Sequence, residues 1–230
     1  MVWARMISIV IPTLNAAPHL PHSLRALFDG AVEGLVKELI VVDGGSDDNT
    51  IAICQAAGAE IITGHTGRGP QLRAGGEAAK AQWLLFLHAD TVLSDGWVDE
   101  VRDFISNQPK TNVGIFTFAL DDKRLRARIL EFIVKLRCKL LSLPYGDQGL
   151  LISRELYDEL GGFKPLVLME DVDIVSRLGR ARITYLKTKA TTSAQRYQKS
   201  GYMKRMARNA YCLSLWFAGV KPEEILKRYQ

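Results

Sequence analysis

The alternation of two periodicities in the first hundred residues constrains the fold of this chain most strongly. Ile7–Ile11, Glu38–Val42, Glu60–Thr63 and Trp83–Leu87 are short runs rich in Ile, Val and Leu, the mark of strands buried on both faces. Between them, His19–Phe28, Thr50–Ala57 and Gln71–Ala81 have helical spacing. A βαβαβαβ order predicts an α/β fold: a doubly wound, mostly parallel sheet with helices on both faces. A helix from beyond Asp95 through Ser106 and a strand at Val113–Ala119 continue the order. The second half is less regular. It has a basic helix across Lys123–Lys139, a strand at Gly149–Ser153, a turn at Gly161–Gly162, a helix opened by Glu170–Asp171, and a C-terminal helical segment, Gly201–Trp216. No stretch reads as a linker, so residues 1–230 are expected to form one domain.

Composition narrows the setting. The apolar fraction is 47%, ordinary for a packed globular protein. Cys54, Cys138 and Cys212 are odd in number, far apart and outside metal-binding spacing, so a reduced, cytoplasmic setting is expected. Ile7–Ile11 is too short for a signal peptide, and Tyr211–Val220 is too short to span a bilayer. The net charge of +5 is unevenly placed: Lys123, Arg124, Arg126, Arg128, Lys135, Arg137 and Lys139 face only Glu131. A second cluster, Arg196, Lys199, Lys204, Arg205 and Arg208, contains no acid. Apolar residues interleave with both clusters, as in basic amphipathic helices. Anionic lipid on the inner face of a membrane or a diphosphate substrate fits such clusters. Nucleic acid is not expected, because no nucleic-acid module is recognisable. Ordinary solvated helix faces are the plain alternative.

The strand ends carry the chemistry. WLLFLHAD closes the fourth strand on Asp90, between His88 and Thr91, and ligands of open α/β sheets bind beyond such carboxyl ends. Asp90 there suits a metal ion or a phosphate-bound cation, although Asp90 and Thr91 would also serve as a helix cap. The second strand ends in VVDGGSDDNT. Asp43 could accept hydrogen bonds from a base or a ribose, or form only an Asx turn, and Ser46, Asp47 and Asp48 are placed to cap the next helix. GHTGRG at residues 64–69 brings Arg68, and then Arg73, towards a diphosphate. PTLN after the first strand lacks GxGxxG, and no GxxxxGK[ST] occurs, which excludes a P-loop hydrolase. His19, His22 and His65 lack metal-ligand spacing and read as surface or capping residues. Trp83 reads as core, Trp97 as helix packing rather than a sugar platform, and Trp216 as part of the last long helix's apolar face.

SIVIPTLN, VVDGGSDDNT, GRGPQLRAG, FLHADT, GDQG and MEDVD, in this order, together resemble the family 2 glycosyltransferases of GT-A (nucleotide-diphospho-sugar transferase) fold. FLHAD in place of FLDAD, with the ending AQRYQKSGYMKRMARNAY…GVKPEEILKRY, resembles a narrower bacterial subgroup, the rSAM/selenodomain-associated or arsenosugar-biosynthesis glycosyltransferases. The resemblance implies an inverting enzyme that moves one sugar from a UDP- or GDP-sugar to a small-molecule or lipid-linked hydroxyl acceptor. It implies a nucleotide-sugar half in residues 1–120 and an acceptor half in 121–230. Pro12, Thr13, Asn15, Asp43, Arg68, Arg73, Ala89 and Asp90 would line the nucleotide site, and Asp90 would hold Mg²⁺ or Mn²⁺ on the diphosphate. His88, in place of the first Asp of the DxD motif, would be the other metal-site residue; imidazole suits Mn²⁺ better than Mg²⁺. Glu170–Asp171 would be the catalytic pair, with Asp171 the general base; acids at a helix start also favour the macrodipole without catalysis. Gly146, Asp147 and Gln148 would lie near the acceptor or donor sugar. Processive relatives carry QxxRW and membrane spans; here only Gln195–Arg196–Tyr197 stands, which favours transfer of a single sugar.

Two other functions fit parts of this pattern. A sugar-phosphate nucleotidyltransferase shares the sheet and the metal, but it carries an early Gly-rich basic run that PTLNAAPHL lacks. A non-catalytic membrane-surface or scaffold protein would account for His88 and the basic helices, but it has no need of Asp43, Asp90 and Asp171 together.

Overall fold

Alternate residues of each early strand enter opposite cores, the expected outcome for strands covered on both faces. In β1 (Ile7–Thr13), Ile7, Ile9 and Ile11 join one core and Val10 joins the other. In β4 (Trp83–Phe86), Trp83 and Leu85 face the first core, while Leu84 and Phe86 face the second. Each such side chain contributes roughly 1.5–3 kcal/mol through burial. In this computed structural model, which describes residues 6–229, β1 and β4 are central strands of a single eight-stranded sheet.

The sheet runs in the order β3 (Glu60–Ile62), β2 (Val36–Asp43), β1, β4, β7 (Leu150–Ser153), β6 (Val113–Leu120), β8 (Ile183–Thr192) and β5 (Thr91–Leu93). The first four are parallel. β7 then runs antiparallel to both β4 and β6, β6 and β8 are parallel, and β5 closes antiparallel to β8. On the face of the first core lie α1 (Leu20–Val32), α2 (Thr50–Ala56) and α4 (Trp97–Asn107). On the second lie α3 (Arg68–Ala78), α6 (Arg154–Glu159) and α7 (Glu170–Leu178). A third core forms where α5 (Leu125–Leu141) packs on β6 with α8 (Gln195–Ser200) and α9 (Tyr202–Phe217), and α10 (Pro222–Tyr229) folds back on α9. The helices therefore cover both faces, as expected.

The structure departs from the sequence expectation in the second half. β8 was not anticipated because ITYLKTKATT is largely polar. Only Leu186, Thr188, Ala190 and Thr192 turn inward, and β6 and β5 supply its hydrogen-bonding partners. Thr91 starts β5 rather than capping a helix. Trp97 is 1% exposed and its indole N–H donates to the Ala26 carbonyl at 2.9 Å, so it is a packing residue, as expected.

Candidate functional site

The carboxyl ends of β1, β2 and β4 converge on one edge, and their turns are locked to one another before any ligand is considered. Asp43, 1% exposed at the end of β2, accepts from Thr13 Oγ1 (2.9 Å), Gly45 N (2.9 Å), Ser46 N (2.7 Å) and Ser46 Oγ (2.6 Å). Burial alone would raise its pKa, but these donors win and hold it below the usual carboxylate value. The same turn reaches back to the end of β1: Asn15 N donates to Ser46 Oγ, and Asp47 N donates to Asn15 Oδ1. Asn15 sits in the left-handed region at φ +50, a conformation Asn tolerates. The N-cap of α2 is Asn49, without a side-chain cap bond; Asp48 before it accepts from Thr50 N, while Ser46 and Asp47 serve the turn. Gln71, 4% exposed, ties the strand ends together by donating to the carbonyls of Thr13 and Val42.

Two adjoining cavities open on this edge. One, of about 390 Å³, is lined by Pro12, Thr13, Asn15, Arg68, Ala89 and Asp90 among others. The second, of about 120 Å³, adds Tyr145, Asp147 and Asp171. Arg68, His88, Asp90, Ser193 and Arg196 line both. The fold thus joins Asp90, at the end of the β4 run, to Asp171, on the first turn of α7. Asp171 is oriented by two backbone donors, Gly146 N to Oδ2 (2.9 Å) and Val172 N to Oδ1 (2.8 Å). Met169, just before α7, is held at φ +67, a strained backbone for an unbranched side chain at a helix entry.

Glu170 has a different place from Asp171. It is 1% exposed and forms an ion pair with Arg68, Nε to Oε1 at 2.5 Å. Burial raises its pKa, and the Arg68 guanidinium opposes that rise. Arg68 in turn lies 3.3 Å from His88 Nε2. Burial, then the cations Arg68 and Arg196, push His88 far below the usual imidazole value. A guanidinium can only donate, so the contact with Arg68 engages His88 Nε2 as an acceptor. A Cβ on Gly146 would stand 2.8 Å from His88 Nε2, so a larger residue there would displace the histidine ring.

Arg73, Gln148 and Asp43 are placed away from these cavities, while Gly146 and Glu170 line neither but contact the lining residues Asp171 and Arg68. Arg73 turns outward and pairs with Glu77 at 2.8 Å, half-exposed on the surface of α3. Gln148 is 2% exposed; its amide donates to the Phe116 carbonyl and accepts from Cys138 Sγ, which joins β6 to α5. The Asp43 carboxylate is occupied by its own turn, the Asx-turn alternative, and lines neither cavity. Arg196, Arg205, Tyr197, Asn209 and Tyr229 do line the second cavity and were not expected there. Arg196 and Arg205 carry a sequence signal in the second basic cluster, of which Tyr197, Asn209 and Tyr229 are not members. Arg205 donates to Tyr229 Oη at 3.2 Å and stacks on Tyr197 at 5.2 Å.

A divalent cation fits this edge on its own donors. Asp90 faces both cavities and makes no hydrogen bond or ion pair among the described residues. Asp147 Oδ1 is buried without a partner, and burial, with Asp171 and Asp90 nearby, raises that carboxyl to about 6 against the pull of Arg137. Among the described residues no three His, Cys, Asp or Glu side chains form a cage. Mg²⁺ and its relatives are commonly held by one or two carboxylates with substrate phosphates completing the shell.

The model of the family described as Glycosyl transferase family 2 matches residues 8–164. The chain belongs to that family. It is 38% identical over 97 residues to PGL/p-HBAD biosynthesis glycosyltransferases of Mycobacterium bovis and Mycobacterium tuberculosis, covering 39% of this chain. The match spans only 37% of the length of those relatives. Among solved structures, glucosyl-3-phosphoglycerate synthase from Mycobacterium tuberculosis with Mg²⁺ and UDP is 23% identical, covers 94% of this chain and 80% of that one, and has a TM-score of 0.67. TarS 1–349 from S. aureus is 19% identical over 81% of this chain and 60% of that chain, with a TM-score of 0.62. These structures establish the GT-A fold.

Proposed function

We propose that this family 2 glycosyltransferase moves a single sugar, with inversion, from a UDP- or GDP-sugar to a hydroxyl acceptor. The arrangement that carries the proposal is the pairing of Asp90 and Asp171 across adjoining cavities, with Arg68 and Arg196 beside both. The donor's nucleotide lies against Pro12, Thr13 and Asn15, where backbone and amide groups are already fixed. Because Ser193, Gln195 and Arg196 also line this cavity, the division into a donor half (1–120) and an acceptor half (121–230) is not strict. The similar glucosyl-3-phosphoglycerate synthase has been solved with Mn²⁺, UDP-glucose and phosphoglyceric acid, a donor class this cavity suits. Membership of the narrower bacterial subgroup rests on FLHAD and the C-terminal sequence.

In the reaction the bond from the anomeric carbon to the diphosphate breaks as the acceptor oxygen attacks from the opposite face. Negative charge grows on the departing diphosphate, and cations aimed at that charge stabilise the transition state more than the ground state. Arg68 and Arg196 supply that charge; Asp90 would hold Mg²⁺ or Mn²⁺, which when bound supplies further Lewis-acid neutralisation. Asp171 takes the acceptor's hydroxyl proton, and its two backbone hydrogen bonds keep the carboxylate aimed. Glu170 positions Arg68 and does not touch the reacting atoms. Asp171→Asn should reduce turnover by roughly 10²–10⁴-fold while leaving nucleotide binding intact. NMR of the product formed from a donor of known anomeric configuration should show inversion, and retention would overturn the mechanism.

A further inference from the structure

Helix α5 has two apolar faces, and the fold uses only one. Ala127, Leu130, Val134 and Cys138 are 0–6% exposed and enter the third core. At about 100° per residue, Leu125, Ile129, Phe132, Ile133, Leu136 and Leu140 form a row on the opposite side, and they are 40–74% exposed. Single exposed hydrophobic residues are ordinary, but a continuous row along about four helical turns marks an interaction surface.

The borders of the row are cationic. By the same helical geometry Lys135, Arg128 and Lys139 flank one edge and Arg126 the other. Glu131, the one acid of the helix, is consumed: it accepts from Leu120 N at 2.8 Å and pairs with Arg128 at 2.7 Å. Arg126, Lys135 and Lys139 are exposed and make no ion pair within the described residues. Arg137 is excluded from this surface, because it donates to the Leu143 carbonyl at 2.9 Å and lies 3.4 Å over the Tyr145 ring. Along the lysine edge a groove of about 560 Å³ is lined by Phe118, Phe132 and Tyr185 together with Lys135, Lys139 and Lys189. An apolar row bordered by unpaired cations is the pattern of a helix lying in a membrane interface. Two copies packed through this face would bring like charges together with no free acid to offset them.

We propose that the outer face of α5 docks on an anionic lipid surface, with the six apolar side chains in the acyl boundary and Arg126, Lys135 and Lys139 on the headgroups. No helix of the described residues is long and apolar enough to cross a membrane, so the contact is peripheral. The last turn of α5 is braced to Tyr145 through Arg137, and Gly146 and Asp147 follow at once. The docked helix therefore holds the catalytic edge close to the lipid.

The test is co-sedimentation of the full chain with vesicles of phosphatidylcholine and phosphatidylglycerol, against phosphatidylcholine alone, without donor or acceptor. Failure of the donor assignment therefore leaves this result readable. The wild type should partition to the anionic vesicles only. Phe132→Ser with Leu136→Ser, and separately Lys135→Glu with Lys139→Glu, should each lower partitioning roughly tenfold or more. Both pairs change exposed side chains, and thermal melts matching the wild type show that the fold is kept. Wild type remaining in the supernatant, or variants that bind as it does, would overturn the proposal. So would a dimer in sedimentation equilibrium that Phe132→Ser with Leu136→Ser dissolves, which would assign the face to a second copy.

Discussion

The turn after β2 and the edge around α7 both place carboxylates at the mouth of the sheet, yet they use them in opposite ways. Asp43 accepts four hydrogen bonds from its own neighbourhood, so its charge is used up in fixing the strand ends. Asp90 makes no such bond, and Asp147 Oδ1 is buried without a partner, so their charge is directed at the cavity. The first region is closed by its own hydrogen bonds, and the second keeps carboxylate oxygens without internal partners. A carboxylate's position at a strand end thus does not settle its role; the number of donors already aimed at it does.

Removing the cation paired with Glu170 at the α7 edge should give the largest effect on stability. Arg68→Ala leaves Glu170 buried and unpaired, which should cost roughly 2–4 kcal/mol, read as a lower urea midpoint. Adding Glu170→Gln should restore much of that stability without restoring nucleotide affinity. If the double variant is as unstable as the single one, the stranded Glu170 carboxylate is not the source of the loss.

Asp43→Ala should cost roughly 2–3 kcal/mol by stranding the donors of the β2 turn. Because the folded pKa of Asp43 lies below its unfolded value, its contribution is present above about pH 4 and is lost as pH falls through the folded pKa. The wild type should therefore lose stability on acidification more steeply than Asp43→Ala does. Identical acid limbs would show that the turn does not depend on the ionised carboxylate. The smallest effect belongs to Arg73, whose exposed pair with Glu77 is worth at most about 0.5 kcal/mol. Arg73→Ala should leave nucleotide binding unchanged; a loss there would mean that the arginine swings into the cavity.

The same division explains what the sequence disclosed. The parallel strands β1–β4 were legible because burial on both faces forces unbroken apolar runs. Their carboxyl ends then place Asp43 and Asp90 on one edge without further information. Strand β8 was hidden because its partners β6 and β5, rather than its own polar sequence, define it. Arg73 and Gln148 were expected at the site from their neighbours in the chain, yet helix phase turns one outward and packing turns the other inward. Arg196 and Arg205 reach the cavity because α8 and α9 return to the sheet edge, a long-range contact that no local pattern encodes.

The most direct test is calorimetric titration with UDP and with GDP, with and without Mn²⁺, of the wild type and Asp90→Ala. Binding of one nucleotide that Mn²⁺ strengthens, with that strengthening lost in Asp90→Ala, is the predicted result and would also identify the base. Equal binding by the variant, or no binding of either nucleotide by the wild type, would contradict the assignment of Asp90 to the donor's diphosphate.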